Sequence, residues 1–501
     1  MHSAMAGAET ACVEPGSENE SPLDLDLRQA VLAGPGGGGG VVDELRGAVV
    51  SRLATGNAIG AALTASGHTD VRRRVLTGEM TVLSILGLCL YSGEGYDSVL
   101  ARVLPAMPGA LAAGGKVPTG SALSQARARL PVGPEGEPVR RLFEASTAGG
   151  DEALPGGTAF GLELTAFDGT VFDLPASHEI AAQFATPSGG RFPQARLVTL
   201  VSCGTRRVRA AALGSSGDSE QALVDGLGSA LGPGMLNLAD RNFFAMARWV
   251  AFAATGAHLA WRVKNGTKSL PAKVIKVLPE GSSLVRLRES DSMLSRRRAA
   301  AGNPGLPRLP DTIARLVEFD LLVTDRRGRT RRSRFRILTT LLDHRAFPAQ
   351  QVAAVYAERW QAELVYYRIK VSLRGSGVVL RGQSPDLARQ EIWGFLVVYN
   401  ALVELALKAA VSLGVDPDEI SFVAVLRLAR AHLTAAGCAR CGHRSAADPT
   451  DTLVTAIAAH PRNRTGRQRT SPRTKAQRRT ERTRDVSYTI NIVMSNLPIA
   501  A

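Results

Sequence analysis

The sequence predicts a mixed α/β fold that follows a helical N-terminal region and contains a β-rich insertion. Residues 41–148 carry apolar residues at three- and four-residue spacing, which is typical of helices. From residue 158 to residue 268, the segments read as three strands, a helix, a strand, a helix and a strand. Residues 269–345 then hold four strand-like segments between basic or Pro/Gly-rich turns.

The remaining segments complete the predicted domain organisation. The chain has 501 residues, enough for two to four domains. Residues 1–40 are Gly-rich and acidic, and we expect them to be disordered. Helical patterns dominate residues 346–437. Residues 438–501 are predicted to be a basic tail, because residues 461–484 hold ten Arg or Lys against one Glu and would attract phosphate.

Charge and cysteine content narrow the functional class. The formal net charge is +15, which favours a polyanionic partner such as nucleic acid over a basic surface that serves only solubility. Five scattered cysteines do not make a disulfide framework, so we expect a reducing cytoplasm. The apolar run at residues 393–411 is interrupted by Asn400, Glu404 and Lys408, and it is interpreted as a buried helix rather than a membrane span.

One short helix in the N-terminal region has the chemistry of a DNA reader. Thr119 or Ser121 is the predicted cap of the basic segment "VPTGSALSQARARL". Such a helix could place polar and cationic side chains in a groove, namely Gln125, Arg127 and Arg129. A solvated helix face explains the same pattern equally well.

A second helix, "YAERWQAELVYYRIK" at residues 356–370, carries charge within its best packing face. Tyr356, Arg359, Glu363 and Lys370 are spaced by 3, 4 and 7 residues and fall within an arc of about 60° on a helical wheel. An internal ion-pair ladder would explain them. Alternatively, the face lines a cleft in which Glu363 binds a metal ion and the cations hold phosphate.

Two further acids favour the cleft. Asp168 interrupts a strand in "TAFDGTVF", and Asp240 ends a buried strand in "LNLADRNFF". A carboxylate at such positions needs a compensating cation. Three acids, two from strands and one from a helix packed over them, can hold two Mg²⁺ ions about 4 Å apart for phosphodiester chemistry.

These residues resemble those of the "insertion sequence four" family of bacterial DDE transposases. The family signature is Tyr, two residues, Arg, three residues, Glu, six residues, Lys, and it matches Tyr356, Arg359, Glu363 and Lys370. The contexts "AFDGT" at Asp168 and "LADRNFF" at Asp240 also match. The resemblance covers roughly residues 50–430 and implies an RNase H-like catalytic core with a β-rich insertion, preceded by a helical DNA-binding domain.

The resemblance also implies an activity and roles for the residues. It implies cut-and-paste movement of DNA ended by terminal inverted repeats, insertion into target DNA, and a homodimer on the DNA. Asp168, Asp240 and Glu363 would be the catalytic ligands of two Mg²⁺ ions, with Mn²⁺ able to substitute. The DNA contacts near the scissile phosphate would come from Tyr356, Arg359, Lys370 and Arg241.

Alternatives to this interpretation stay open. A catalytically silent DNA-binding regulator, or an RNase H-like nuclease without joining activity, would share most of these features. Some relatives cut through a hairpin and stack a flipped base on a Trp of the insertion, but residues 265–345 contain no Trp. Either this chain does not use the hairpin route, or another aromatic residue such as Phe319 or Phe335 serves. Cys438 and Cys441 with nearby histidines form a weak zinc motif.

Overall fold

The computed structural model describes residues 58–70, 76–103, 117–133, 137–147, 157–266, 270–324, 330–435, 449–459 and 489–494. The N-terminal region is helical, as predicted. Its helices are α1 (Ala58–Ala65), α2 (Gly78–Leu90), α3 (Tyr96–Val103), α4 (Gly120–Ala128) and α5 (Pro138–Thr147). Thr119 caps α4 by accepting a hydrogen bond from the Ala122 N–H, which confirms one of the two predicted caps. The helix predicted at residues 41–54 and the N-terminal segment 1–40 lie outside the described residues.

The central sheet has the predicted order of strands and helices, except for a two-residue strand at its start and one short helix that were not predicted. Its first strands are antiparallel, namely β1 (Thr158–Ala159), β2 (Leu162–Asp173), β3 (Gln194–Ser202) and β4 (Val208–Ser215), with α6 (His178–Gln183) between β2 and β3. Two parallel strands follow, each after a helix: α7 (Glu220–Asp225), β5 (Met235–Ala239), α8 (Met246–Ala253) and β6 (His258–Arg262). The strand order β4–β3–β2–β5–β6 agrees with an RNase H-like core.

The insertion extends this sheet rather than forming a separate layer. It contains β7 (Ala272–Val277), β8 (Ser283–Leu287), α9 (Asp291–Ala300), β9 (Thr312–Thr324) and β10 (Thr330–Thr339). β10 pairs antiparallel with β6, with Leu338 opposite Trp261, so the strand order continues as β10–β9–β8–β7. The four predicted strands are present, whereas α9 was not anticipated because its "DSMLSRRRAA" sequence carries few apolar residues.

The C-terminal helices cover one face of the sheet. They are α10 (Ala349–Tyr356), α11 (Trp360–Tyr367), α12 (Pro385–Leu413), α13 (Phe422–Ala435) and α14 (Pro449–Ala458). The last strand, β11 (Thr489–Met494), pairs with β9. Residues 438–501 are therefore more than a tail, because α14 and β11 pack onto the fold. The basic run at residues 461–484 lies outside the described residues.

Helix α12 is the longest apolar element, and its burial explains its composition. Among the described residues it alone is long and apolar enough to cross a membrane, but 67% of its most apolar window is buried within the protein. Asn400, which interrupts the apolar run, accepts a hydrogen bond from Val208 N and donates one to Val208 O, each at 2.9 Å. The polar residue thus fastens α12 to β4.

Two apolar clusters occupy the two faces of the sheet. Phe167 and Leu200 belong to the cluster beneath α7 and α8, together with Trp249. Ala166 and Val201 belong to the cluster beneath α10, α11 and α12. Because side chains alternate along a strand, Asp168 points toward the second face, where α11 lies.

Candidate active site

Asp168 is held in the middle of the sheet by a residue of α11. It pairs with Thr199 of β3, and the Tyr366 hydroxyl lies 2.8 Å from Thr199 Oγ1 and donates a hydrogen bond to the Asp168 carbonyl. Burial raises the pKa of the Asp168 carboxyl to about 7; Arg359 opposes this rise and Glu363 adds to it. The carboxyl group thus lies in a pocket that disfavours an uncompensated negative charge.

Asp240 directly follows β5 and comes level with Asp168. Ala166 of β2 pairs with Leu238 of the parallel strand β5, so two residues further along each strand lie the two aspartates. Residues at the carboxyl ends of parallel strands meet at the ligand crevice of an open α/β sheet. Arg262 of β6 lies beside this position, with Nη1 4.0 Å from Asp240 Oδ1.

The segment that carries Glu363 is not the single continuous helix that the sequence predicted. α10 ends at Tyr356, a 3₁₀ turn covers Ala357–Arg359, α11 covers Trp360–Tyr367, and a π-helical turn covers Arg368–Leu373. A wheel at 100° per residue applies only to α-helix, so the predicted arc is approximate here. The charged residues nevertheless approach the same part of β2.

Arg359 pairs with Glu363 and is electrostatically affected by the two aspartates. Its Nη2 donates a hydrogen bond to Glu363 Oε1 at 3.1 Å, and its side chain is 17% exposed. Burial lowers the pKa of Arg359, but Tyr356, the two aspartates and Glu363 outweigh that effect and raise it above its ordinary value. All three acids are therefore close enough to one guanidinium to interact with it electrostatically.

The other two signature residues contact the protein itself. Tyr356 is 6% exposed, and its hydroxyl donates a hydrogen bond to the Ala239 carbonyl at 3.2 Å. Lys370 Nζ donates to the Val171 carbonyl at 2.7 Å and to Thr170 Oγ1 at 3.3 Å. Tyr356 thus fixes the end of β5 just before Asp240, and Lys370 fixes the π-helical turn to β2 beyond Asp168.

The donor set fits a hard divalent cation in chemical type. Carboxylate oxygens are the ligands that Mg²⁺ and Mn²⁺ prefer, and Asp168, Asp240 and Glu363 would supply such oxygens. Across the described ranges, no three His, Cys, Asp or Glu side chains are grouped closely enough to hold a metal ion as they stand. In this arrangement Arg359 supplies the positive charge that the acids require.

A fourth acid, Glu220, lies near the site and was not identified from the sequence. It is the first residue of α7, and burial and Asp240 raise the pKa of its carboxyl while Arg196 opposes the rise. Glu220 also contributes to the raised pKa of Asp168. In sequence it is indistinguishable from a helix N-terminal acid next to the Ser219 cap, so no local signal would have identified it.

The predicted DNA contacts in α4 divide into two groups. Arg127 is 1% exposed and donates hydrogen bonds to Tyr96 Oη at 2.6 Å and to the Leu387 carbonyl at 2.9 Å. The prediction that Arg127 reaches DNA is therefore wrong, because this side chain instead joins α4 to α12. Gln125 and Arg129 are exposed on α4, as is Arg241 after β5.

The two Phe residues considered for base stacking differ in accessibility. Phe319 is 3% exposed and stacks on Phe335 with ring centroids 5.4 Å apart, so it is not available to a base. Phe335 is half-buried, and the Arg262 guanidinium lies over its ring at 4.0 Å. Cys438 and Cys441 lie outside the described residues.

Comparisons with known proteins identify the family. The family description "Insertion element 4 transposase N-terminal" matches residues 48–144, and "Transposase DDE domain" matches residues 159–401. The chain is 30% identical over 365 residues to the transposase InsG for insertion sequence element IS4 of Escherichia coli K12, covering 72% of this chain and 77% of that protein.

Two further similarities are weaker. The putative transposase InsZ of Escherichia coli K12 is 27% identical over 205 residues, which cover 40% of this chain and 65% of that protein. A cryo-EM structure of the piggyBac transposase synaptic complex with hairpin DNA is 9% identical with a TM-score of 0.39, covering 87% of this chain and 85% of that one. The match to InsG, together with the two family descriptions, establishes that the chain belongs to the IS4 family of DDE transposases, enzymes that cleave and transfer DNA and use divalent metal ions.

Proposed function

We propose that this transposase moves its element by cut-and-paste transposition, with Asp168, Asp240 and Glu363 as its catalytic carboxylates. The observation that carries the proposal is geometric: the pairing of β2 with β5 brings Asp168 and Asp240 level with each other. Glu363 lies on α11, which packs on β2, and pairs with Arg359 at 3.1 Å. Acids that converge in this way from two strands and a helix repel one another unless cations offset them. In phosphodiester chemistry on DNA, the offsetting cations would be divalent metal ions held by these carboxylates.

The three acids would hold two Mg²⁺ ions, or Mn²⁺ in their place. When bound, these ions activate the attacking oxygen and stabilise the leaving oxygen at phosphorus. In cleavage, a water oxygen attacks phosphorus, the P–O3′ bond breaks and a 3′-hydroxyl is released. In joining, that 3′-hydroxyl attacks a target phosphodiester and displaces another 3′-oxygen.

The basic residues around the site would serve the DNA in different ways. Arg359 would turn from the acids toward a scissile phosphate once cations offset the carboxylates, and exposed Arg241 would hold the strand beside it. Tyr356 and Lys370, assigned to DNA contacts by the family signature, are better supported as residues that position β5 and β2 against the acids.

The remaining assignments concern domains, partners and location. Residues 41–148 would form a DNA-binding domain that presents Gln125 and Arg129, and residues 158–268 and 346–437 would form the catalytic core around the insertion at 269–345. The basic run at 461–484 would contact phosphates without reading sequence. We propose terminal inverted repeats and target DNA as substrates, a homodimer on DNA, and a bacterial cytoplasmic location.

The test is cleavage of DNA that carries the flanking inverted repeats. Purified protein with Mg²⁺ should nick the repeat end and join it to target DNA, whereas Asp168→Asn, Asp240→Asn and Glu363→Gln should each reduce cleavage by about a thousandfold or more while retaining end binding. Glu144→Gln is the matched control, because Arg140 and Glu144 form an i,i+4 pair like that of Arg359 and Glu363 but with more exposed side chains.

Each other outcome has a definite meaning. Wild-type protein that binds ends without nicking them would favour a regulator, and nicking without joining would favour a nuclease. Undiminished cleavage by any of the three acid variants would remove that residue from the mechanism.

A further inference from the structure

Glu220 approaches the active site from the opposite face of the sheet. Its helix, α7, packs on the Phe167 cluster, whereas Asp168 faces α11. The Glu220 carboxylate lies against Gly169, the residue after Asp168: a methyl group built at position 169 would be 1.8 Å from Glu220 Oε1. Only a residue without a side chain leaves this space, so Gly169 is what admits the carboxylate beside β2.

The start of α7 is also fastened to the loop that carries Asp240. The side chain of Gln221 donates a hydrogen bond from Nε2 to the Asn242 carbonyl at 2.7 Å, and Arg248 Nη2 donates to the Gln221 carbonyl at 2.7 Å. These bonds hold the first turn of the helix next to the end of β5. Glu220 therefore lies beside both strands that supply catalytic aspartates.

The Glu220 carboxylate is close enough to Asp168 to interact with it electrostatically. The Gly169 N–H donates a hydrogen bond to Asp168 Oδ1 at 3.0 Å, and the Glu220 carboxylate lies against the same glycine, so the two carboxylates are neighbours. Their like charges disfavour each other, and Arg196 is a cation that offsets Glu220. A role at the start of α7 alone would not require the Glu220 carboxylate to lie against Gly169 of β2. The position instead adds a negative charge beside Gly169, the residue that follows Asp168.

We propose that Glu220 is a fourth carboxylate of the divalent-cation site, a positioning residue that strengthens cation binding by Asp168 and Asp240 through its charge. This inference rests on the proposed function, because it presumes that the aspartates hold the cation. Glu220 acts from outside the direct ligands, so its removal weakens cation binding without abolishing it.

The experiment is a calorimetric titration of Mn²⁺ into the full-length protein without DNA. Glu220→Gln should bind Mn²⁺ about tenfold more weakly than wild type, as expected for loss of one charge near a divalent ion. Asp168→Asn should lose measurable binding. Glu179→Gln should match wild type, since Glu179 is likewise in the first turn of a short Ser-capped helix but is exposed to solvent.

The outcomes separate the two proposals. Wild-type affinity in Glu220→Gln together with lost binding in Asp168→Asn would overturn this inference and leave the proposed function in place. Wild-type affinity in Asp168→Asn would overturn the proposed function.

A structural role for Glu220 predicts a different pattern. If Glu220→Gln melts at a much lower temperature than wild type, Glu220→Asp decides, because it keeps the charge and changes the packing. Affinity close to wild type in Glu220→Asp supports the charge effect. An equal loss in both variants would show that packing, not charge, determines cation binding and would overturn the inference.

Discussion

Arg359 Nη2 donates a hydrogen bond to Glu363 Oε1 at 3.1 Å, one turn further along the same helical segment. The same guanidinium interacts electrostatically with Asp168 and Asp240, which belong to the sheet. An ion pair that an isolated helix would expose to solvent is thus partly buried, with 17% of the Arg359 side chain and 30% of the Glu363 side chain exposed. In this setting the guanidinium offsets carboxylates that would otherwise repel one another.

Replacing Arg359 should make the protein depend on a divalent ion for stability. Arg359→Ala leaves Glu363 without its paired cation, while Arg262 still lies beside Asp240, and we expect the free energy of unfolding to fall by about 1–3 kcal/mol. Mn²⁺ should restore much of this loss, so thermal denaturation should show a larger Mn²⁺-dependent rise in melting temperature than in wild type. Arg140→Ala is the control; an equal Mn²⁺ effect in wild type and Arg359→Ala would contradict the prediction.

The Tyr366 hydroxyl should stabilise the strand that carries Asp168. Tyr366→Phe leaves the buried Asp168 carbonyl and Thr199 hydroxyl without this partner, and we expect a loss of about 1–2 kcal/mol in chemical denaturation. Tyr367→Phe alters the neighbouring residue, which is 50% exposed, and should be neutral. Equal effects of the two substitutions would argue against the role assigned to Tyr366.

Substitution of Arg127 should lower stability, whereas substitution of Arg129 should weaken DNA binding. Arg127→Ala removes a buried brace between α4 and α12 and should cost about 2–4 kcal/mol. Arg129→Ala should leave the melting temperature unchanged but weaken binding to end DNA and reduce its salt dependence by about one phosphate contact. Fluorescence anisotropy at several salt concentrations, alongside thermal melts, tests both; unchanged salt dependence in Arg129→Ala would exclude that contact.

Glu137 should make stability decrease as the pH rises. It lies just before α5 and is 5% exposed, and burial raises the pKa of its carboxyl to about 8, with Arg389 opposing and Asp386 adding to the rise. Between about pH 4.5 and pH 8, the folded protein therefore retains a proton that the unfolded chain releases, so the free energy of unfolding falls with increasing pH.

Glu137→Gln should remove this penalty, because glutamine is neutral at every pH. We expect a gain of about 1–3 kcal/mol at pH 8 and little change at pH 4.5, measured by urea denaturation at both values. Glu144→Gln, an exposed position on α5, is the control. A gain of the same size at both pH values would show that packing rather than ionisation is responsible.

The sequence alone predicted most of the helices and strands, the family, and a set of candidate site residues. Alternating apolar residues around Asp168 and the buried segment before Asp240 predicted strands correctly, because burial on a sheet face imposes a two-residue period. The two aspartates could be singled out for the same reason, because burying a carboxylate among apolar residues costs free energy unless a cation pairs with it. The spacing of Tyr356, Arg359, Glu363 and Lys370 indicated the family.

Long-range packing decided the rest. Arg127 and Arg129 are two residues apart and have the same side chain. α12 covers Arg127 and leaves Arg129 exposed, and no local sequence pattern predicts this difference. Glu220 resembles an ordinary helix N-terminal acid until the sheet brings Gly169 against it. The sequence indicated which residues are candidates for the chemistry, because local composition shows where a charge would be costly to bury. Only the tertiary structure decided which of them meet, because contacts between distant segments depend on how helices and strands pack.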